Sequence, residues 1–126
     1  MRFMCMLKSE ENPTFGPPPP ELFAAMAAHT EQGLRNGTLV EVGGLLPSAA
    51  GAIVSLADGT IKATDGPFTE ARELAGGYAV IDVHDKAQAV EIGRQLMQIH
   101  ADHWPGYSGT CEIRQLAEMD PGPVET

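Results

Sequence analysis

The stretch Thr64-Asp65-Gly66-Pro67-Phe68-Thr69-Glu70 is the most restricted segment of the chain, and it lies shortly before the apolar run of residues 77–83. Asp-Gly favours a tight turn, because an Asp side chain bonds to its own backbone and Gly accepts a positive φ. Pro67 fixes its own φ and removes a backbone donor, and Phe68 adds a bulky ring. These constraints predict a rigid loop that leads into a strand.

Length and composition predict one acidic globular domain. The 126 residues suffice for a single core, and 8 Lys+Arg against 17 Asp+Glu give a formal net charge of −9. The electrostatic field of this negative charge repels phosphate backbones and anionic lipid surfaces, so we expect neither nucleic-acid nor membrane binding. The N-terminal apolar run is too short for a signal segment, and we expect a cytoplasmic protein.

Hydrophobic spacing and turn residues predict two helices, four single strands and one hairpin. Asp85 with Gln88 resembles a capping box at the start of the second helix, and Gly37 suits the left-handed end of the first. A bulge or close backbone approach is expected at the pair of glycines 43 and 44. The predicted elements are strand 2–8, helix 21–35, strand 38–46, hairpin 52–57 and 60–64, a short helical turn 69–74, strand 76–83, helix 85–99 and strand 110–116.

This order of elements predicts an α+β domain over residues 1–117, followed by a tail over residues 118–126. The arrangement is a ferredoxin-like split βαβ sheet with an inserted β-hairpin, in which both helices cover one face. The first strand is nonetheless apolar on both of its alternating sets of side chains. We therefore expect a homodimer whose sheets pack face to face across a two-fold axis. The two thiols, Cys5 and Cys111, lie in strands and are expected to be reduced and buried.

The segment Asp65-Gly66-Pro67-Phe68 resembles the motif of the DGPF-domain group within the YciI-related family. The resemblance extends from the first strand to about Leu116, and it implies a dimeric α+β barrel. Better-described relatives carry a His on the first helix that lines a pocket together with a carboxylate. In this sequence the position of the relatives' helix histidine falls nearer Met26 than His29.

Three side chains are the candidates for acid/base chemistry, and each has a second interpretation. Asp65 is either a carboxylate that polarises a ligand or takes a proton, or a turn residue that accepts backbone N–H bonds. His29 is either a pocket residue or a solvated residue at the edge of the helix stripe. Glu41, where the resemblance also implies an acid, faces either the pocket or solvent.

We predict that the motif forms one wall of a ligand pocket, with the first helix opposite. The predicted ligand-binding residues are Gly66, Pro67, Phe68, Met26, Gly44 and His103, the last because relatives have a similar His-x-x-His-Trp-Pro loop. His100 and His103 with Asp102 give too few ligands for zinc, so we expect no metal site. The glycine pairs lack the spacing of phosphate loops, and we expect no cofactor.

Two classes of function follow. The first is an enzyme that performs acid/base catalysis on a small organic substrate, with lyase or isomerase chemistry. The second is a non-catalytic ligand-binding or regulatory interaction module, which the resemblance favours because DGPF domains occur fused or adjacent to sigma-factor-like regulators. A His29–carboxylate pair in a concave pocket supports catalysis, whereas an apolar pocket without an acid supports binding.

Overall fold

The computed structural model describes residues 1–11, 14–69, 71 and 73–118. The prediction of an α+β fold is confirmed. A short 3-10 turn, Ser48–Ala50, follows the second strand. The helices and strands are β1 (Arg2–Ser9), α1 (Pro20–Asn36), β2 (Leu39–Gly44), β3 (Ala52–Ala57), β4 (Thr60–Asp65), β5 (Leu74–Asp82), α2 (Lys86–His103) and β6 (Thr110–Gln115).

The main sheet has four strands in the order β2-β5-β1-β6, and each neighbouring pair is antiparallel. Strand β5 lies between β1 and β2, and β1 lies between β5 and β6, so two βαβ units are interleaved. The hairpin β3–β4 forms a separate two-stranded sheet, inserted between β2 and β5. The four strands form an open sheet with β2 and β6 at its edges.

The core lies between the sheet and the two helices, which pack against each other. Phe3 and Cys5 of β1 contact Ile81 of β5 and Ala89 of α2, and all four are at most 2% exposed. On the opposite side of the sheet, which we call the open face, Met4 pairs with Val80 and Met6 pairs with Tyr78. Both methionines are half-buried within one chain.

The ends of the helices follow local sequence signals. Asp85 accepts the N–H of Gln88 at 2.9 Å, as the capping pattern predicts, while the Gln88 side chain accepts the N–H of His84 instead of that of Asp85. Gly37 ends α1 with φ 81°. The predicted end of α2 near residue 99 is wrong, because the helix continues to His103 and places two histidines in its last turn, where the helix dipole favours positive charge.

Three loop predictions have different outcomes. The irregularity of β2 lies between Leu39 and Glu41, before the glycine pair at which a bulge was expected. The hairpin turn has positive φ at both Asp58 (51°) and Gly59 (75°), as an Asp-Gly hairpin requires. The N–H of Ala71 bonds to the carbonyl of Phe68 at the predicted helical turn 69–74. Residues 70 and 72 of that turn lie outside the described part of the chain. The tail beyond residue 118 also lies outside it.

The cysteines are both free thiols, and Cys5 is more protected than Cys111. Cys5 is buried, whereas Cys111, on edge strand β6, is only partly covered. Hydrogen bonding with Cys111 and burial raise the pKa of the Cys5 thiol well above its usual range. Since the thiolate is the reactive form, both effects make Cys5 inert at neutral pH.

We expect Cys5 to react with a bulky disulfide reagent at least about tenfold more slowly in the native protein than in the unfolded protein, because it is both protonated and covered. The measurement is the labelling rate of the Cys111→Ser variant, in which Cys5 is the remaining thiol. The Cys5→Ser variant reports Cys111 for comparison. Rapid stoichiometric labelling of folded Cys111→Ser would show that this side of the sheet is accessible.

Candidate functional site

A cavity of about 600 Å³ lies between α1 and the helix-covered face of the sheet. Its walls are largely apolar, with side chains from α1 above and from β1, β2 and β5 below. Leu22 and Met26 come from α1, Val42 from β2 and Leu7 from β1. The amphipathic pattern of α1 therefore both builds the core and roofs the cavity.

Glycines in the sheet create the room beneath α1. Gly44 of β2 pairs with Gly77 of β5, and both line the cavity. A Cβ added at Gly44 would have no other atom within 4 Å, so this position opens directly into free space. By contrast, a Cβ at Gly43 would lie 2.6 Å from the Tyr78 ring, so a side chain there requires that ring to move.

The polar groups in the cavity wall are few and carry no acid. Nε2 of His29 lies 3.0 Å from Oε1 of Gln95 on α2, where the ring N–H donates to the amide oxygen. His100 is 5% exposed, and its Nδ1 donates to the carbonyl of Leu96 at 2.7 Å. No Asp or Glu occurs among the described residues that line this cavity. The wall can therefore offer hydrogen bonds but has no carboxylate to pair with His29.

An aromatic cluster borders one end of the cavity. The rings of Phe15 and Trp104 meet edge to face at 5.2 Å, and Tyr107 packs 4.6 Å from His100. Burial is the main cause that raises the pKa of Tyr107, which keeps its hydroxyl protonated at neutral pH. Nε1 of Trp104 is buried and has no hydrogen-bond partner among the described residues.

The Asp65-Gly66-Pro67-Phe68 loop packs against the 3-10 turn that follows β2. The N–H of Gly66 bonds to the carbonyl of Gly51 at 2.9 Å, and the N–H of Phe68 bonds to Oγ of Ser48 at 2.9 Å. A Cβ at Gly66 would lie 1.7 Å from the backbone oxygen of Ser48, so only Gly fits this approach. The Gly66–Pro67 peptide bond is cis.

Ser48 joins this loop to the segment after β1. Its Oγ donates to the Glu11 carboxylate at 2.7 Å, and the same carboxylate accepts the Ser48 backbone N–H. Ser48 is 8% exposed, so a buried hydroxyl and a carboxylate hold the turn. We call the set Glu11, Ser48, Gly51, Gly66 and Phe68 the Ser48 clamp. Neither Ser48 nor Glu11 was predicted as a functional residue, since no local sequence pattern links residues 37 positions apart.

The predicted site residues fall into separate places. Met26, His29 and Gly44 line the cavity, whereas Gly66 and Phe68 belong to the Ser48 clamp and Asp65 is the exposed last residue of β4, paired with Ala52. Pro67, which lies between the two clamp residues of that loop, is exposed. None of the four motif residues is among those lining the cavity.

Two further candidates also lie outside the cavity wall. Glu41 accepts the Tyr78 hydroxyl hydrogen at 3.2 Å on the open face, and its charge raises the pKa of Tyr78. His103 is half-buried in the last turn of α2. The structure thus places one of the three proposed acid/base residues, His29, at the cavity and gives it an amide as its partner.

The chain belongs to the YCII-related domain family, whose model matches residues 1–120. It is also similar to an uncharacterized protein of Rhizobium meliloti (strain 1021), with 31% identity over 86 residues. The match covers 68% of this chain and 65% of that protein, so it spans just under two thirds of the relative's length.

Neither a group of metal ligands nor a membrane-spanning helix occurs in the described part of the chain. Within residues 1–11, 14–69, 71 and 73–118, no three His, Cys, Asp or Glu side chains come together as a group that could hold a metal ion. In the same part of the chain, neither helix combines the length and apolar character needed to cross a membrane.

Proposed function

We propose that this protein binds a small, largely apolar organic molecule in the cavity between α1 and the sheet. The supporting observation is the cavity itself, with about 600 Å³ of space and mainly apolar walls. Ligand sites in proteins typically occupy about 300–1,000 Å³ and combine apolar walls with a few polar groups. His29 and His100 are the polar groups that orient the ligand in this proposal.

Binding without acid/base turnover accounts for the cavity better than catalysis does. Proton transfer requires a positioned acid or base within hydrogen-bond reach of the substrate, usually oriented by a partner group. His29 bonds to the neutral amide of Gln95, and the described lining residues include no carboxylate. Asp65 and Glu41, the two acids of the catalytic hypothesis, lie in the hairpin and on the open face.

We also propose that two copies associate through the open face, as a dimeric α+β barrel. The half-buried apolar side chains at the centre of this face are Met4 and Met6, beside Val80, which is 8% exposed and already covered within the chain. Along its β6 side, Glu112 forms ion pairs with Lys8 at 3.0 Å and with Arg114 at 3.6 Å. Ion pairing offsets part of the desolvation cost of burying these charges against a second copy.

The Gly44→Leu substitution tests the cavity. Because a side chain at this position enters free space, we expect the variant to fold and to lose the response to ligands. The measurement is a thermal-shift screen of small aldehydes, ketones and alcohols on both proteins. At a concentration of 100 times Kd, a true ligand raises Tm of the wild type by roughly 5–10 °C.

Gly44→Ala is the matched control, since a methyl group fills little of the cavity and should preserve most of the response. Compounds that stabilise wild type and Gly44→Leu equally bind elsewhere. If every stabilising compound behaved in that way, the cavity would not be the ligand site.

A further inference from the structure

The hairpin β3–β4 is an amphipathic sheet whose apolar face is not covered by any described residue of the chain. Pairing of Val54 with Ala63 and of Leu56 with Ile61 puts these four side chains on one face. Val54, Leu56 and Ile61 are 69%, 71% and 72% exposed. The other face is more polar: it carries Lys62 and three hydroxyl side chains, together with Ala57 and the half-exposed Ile53.

The hairpin is also held firmly at its base. The Ser48 clamp joins the end of β4 to the turn before β3, through the Gly66–Gly51 and Phe68–Ser48 hydrogen bonds. Beyond the clamp, all twelve strand residues of the hairpin are exposed. A two-stranded sheet in water is marginally stable unless other groups pack on its apolar face. The clamp thus fixes the direction of a hairpin that needs an external cover.

We propose that the hairpin is an arm that packs its apolar face on a second copy of this chain. This inference extends the open-face homodimer proposed above and does not depend on ligand binding. In this dimer the Asp65-Gly66-Pro67-Phe68 motif acts by anchoring the arm, which gives the motif a role away from the cavity. The association is isologous, so each copy both supplies an arm and receives one.

The interface area favours a second copy. Val, Leu and Ile side chains bury roughly 60–120 Å² each, so the three large ones of each arm bury roughly 180–360 Å². Each copy also buries surface beneath the arm of the other copy, so the area that each copy buries is about twice this value. A stable interface needs about 800 Å² per partner. The arms therefore fall short of this size alone, and the open face must supply the remainder.

Charge and surface composition also favour a second copy of this chain as the partner of the arm. The outer part of the arm face, formed by Val54, Leu56, Ile61 and Ala63, carries no charge, while Asp65 lies on the same face at the base, opposite Ala52. The outer part can therefore meet a second chain of net charge −9 without opposing like charges. The same chain exposes other apolar side chains outside the cavity lining, including Leu34 of α1 (57%) and Val40 of β2 (41%). A second copy thus brings an apolar surface on which the arm can pack.

Two neighbouring substitutions test the arm with the same added charge. Leu56→Glu places a carboxylate on the apolar face, and Ser55→Glu places it on the opposite face, across from Lys62. Since each dimer loses two Leu56 contacts, we expect Leu56→Glu to raise the dimer Kd by about 100-fold. Ser55→Glu should change it by less than about threefold. Sedimentation equilibrium measures both.

Amide exchange gives a readout that needs no variant. Protection of residues 52–65 in wild type should rise with protein concentration as the arms become covered. Met6→Asp tests the open-face contact separately and should also weaken the dimer, because the arms alone are too small for a stable interface. A Met6→Asp dimer that stays intact but is dissociated by Leu56→Glu would retain the arm contact and remove the open-face contact. A monomeric wild type, equal effects of Leu56→Glu and Ser55→Glu, or concentration-independent exchange in the hairpin would overturn the arm.

Discussion

Gly66→Ala should reduce the free energy of unfolding by about 3 kcal/mol or more, the largest effect of any single methyl group discussed here. The added Cβ would lie 1.7 Å from the Ser48 oxygen and 2.6 Å from the Ser48 carbonyl carbon. These are backbone atoms that Ser48 cannot move by changing its rotamer, so the loop or the 3-10 turn must shift. Urea denaturation followed by circular dichroism gives the free energy.

Gly44→Ala is the matched control for this experiment, because its Cβ enters open space. Alanine in a strand is favoured over glycine by about 0.5–1 kcal/mol, so this variant should be as stable as wild type or slightly more stable. Equal stability of the Gly66 and Gly44 variants would show that the loop does not approach Ser48 as closely as described.

Ser48→Ala should cost about 2 kcal/mol, because it removes the hydroxyl at the centre of the clamp. The N–H of Phe68 then loses its acceptor, and the Glu11 carboxylate loses one of its two donors. Leaving a buried donor without a partner costs more than an average hydrogen bond contributes. The same denaturation experiment measures the change.

Ser48→Thr keeps the hydroxyl and is the informative comparison, with Glu11→Gln as a second variant that keeps an acceptor oxygen but removes the charge. If Ser48→Ala and Ser48→Thr were equally stable, the hydroxyl would contribute nothing, and packing alone would hold the turn. Since the clamp anchors the arm, Ser48→Ala should also lower hydrogen-exchange protection of residues 52–65 more than that of β1.

The order of the elements could be predicted because each carries its own local signal. Asp58-Gly59 identified the hairpin, Asp85 with Gln88 identified the start of α2, and the spacing of Leu22 and Met26 identified α1. The end of α2 was predicted too early, because His100 and His103 were assigned to a loop. The aromatic packing of His100 against Tyr107 forms only in the folded protein, so no local pattern reported it.

The candidate site was harder to predict, because it depends on contacts between distant residues. Gly66 was recognised as constrained, but the constraint was assigned to a turn and a pocket wall instead of to the Ser48 backbone. Gly44 was expected to leave room for a ligand, and it does line the cavity. Neither the Glu11–Ser48 bond nor the His29–Gln95 bond follows from sequence spacing, since 37 and 66 positions separate the partners.

Methyl NMR of methionine tests the central claim, that the cavity under α1 is the ligand site. Met26 lines the cavity, whereas Met4 and Met6 lie on the open face, so their methyl groups report separately. The strongest stabiliser from the thermal-shift screen is titrated into protein labelled with ¹³C at the methionine methyl groups. We expect a saturable shift of the Met26 signal, while the Met4 and Met6 signals do not shift. Saturable shifts of Met4 or Met6 with an unchanged Met26 would contradict it.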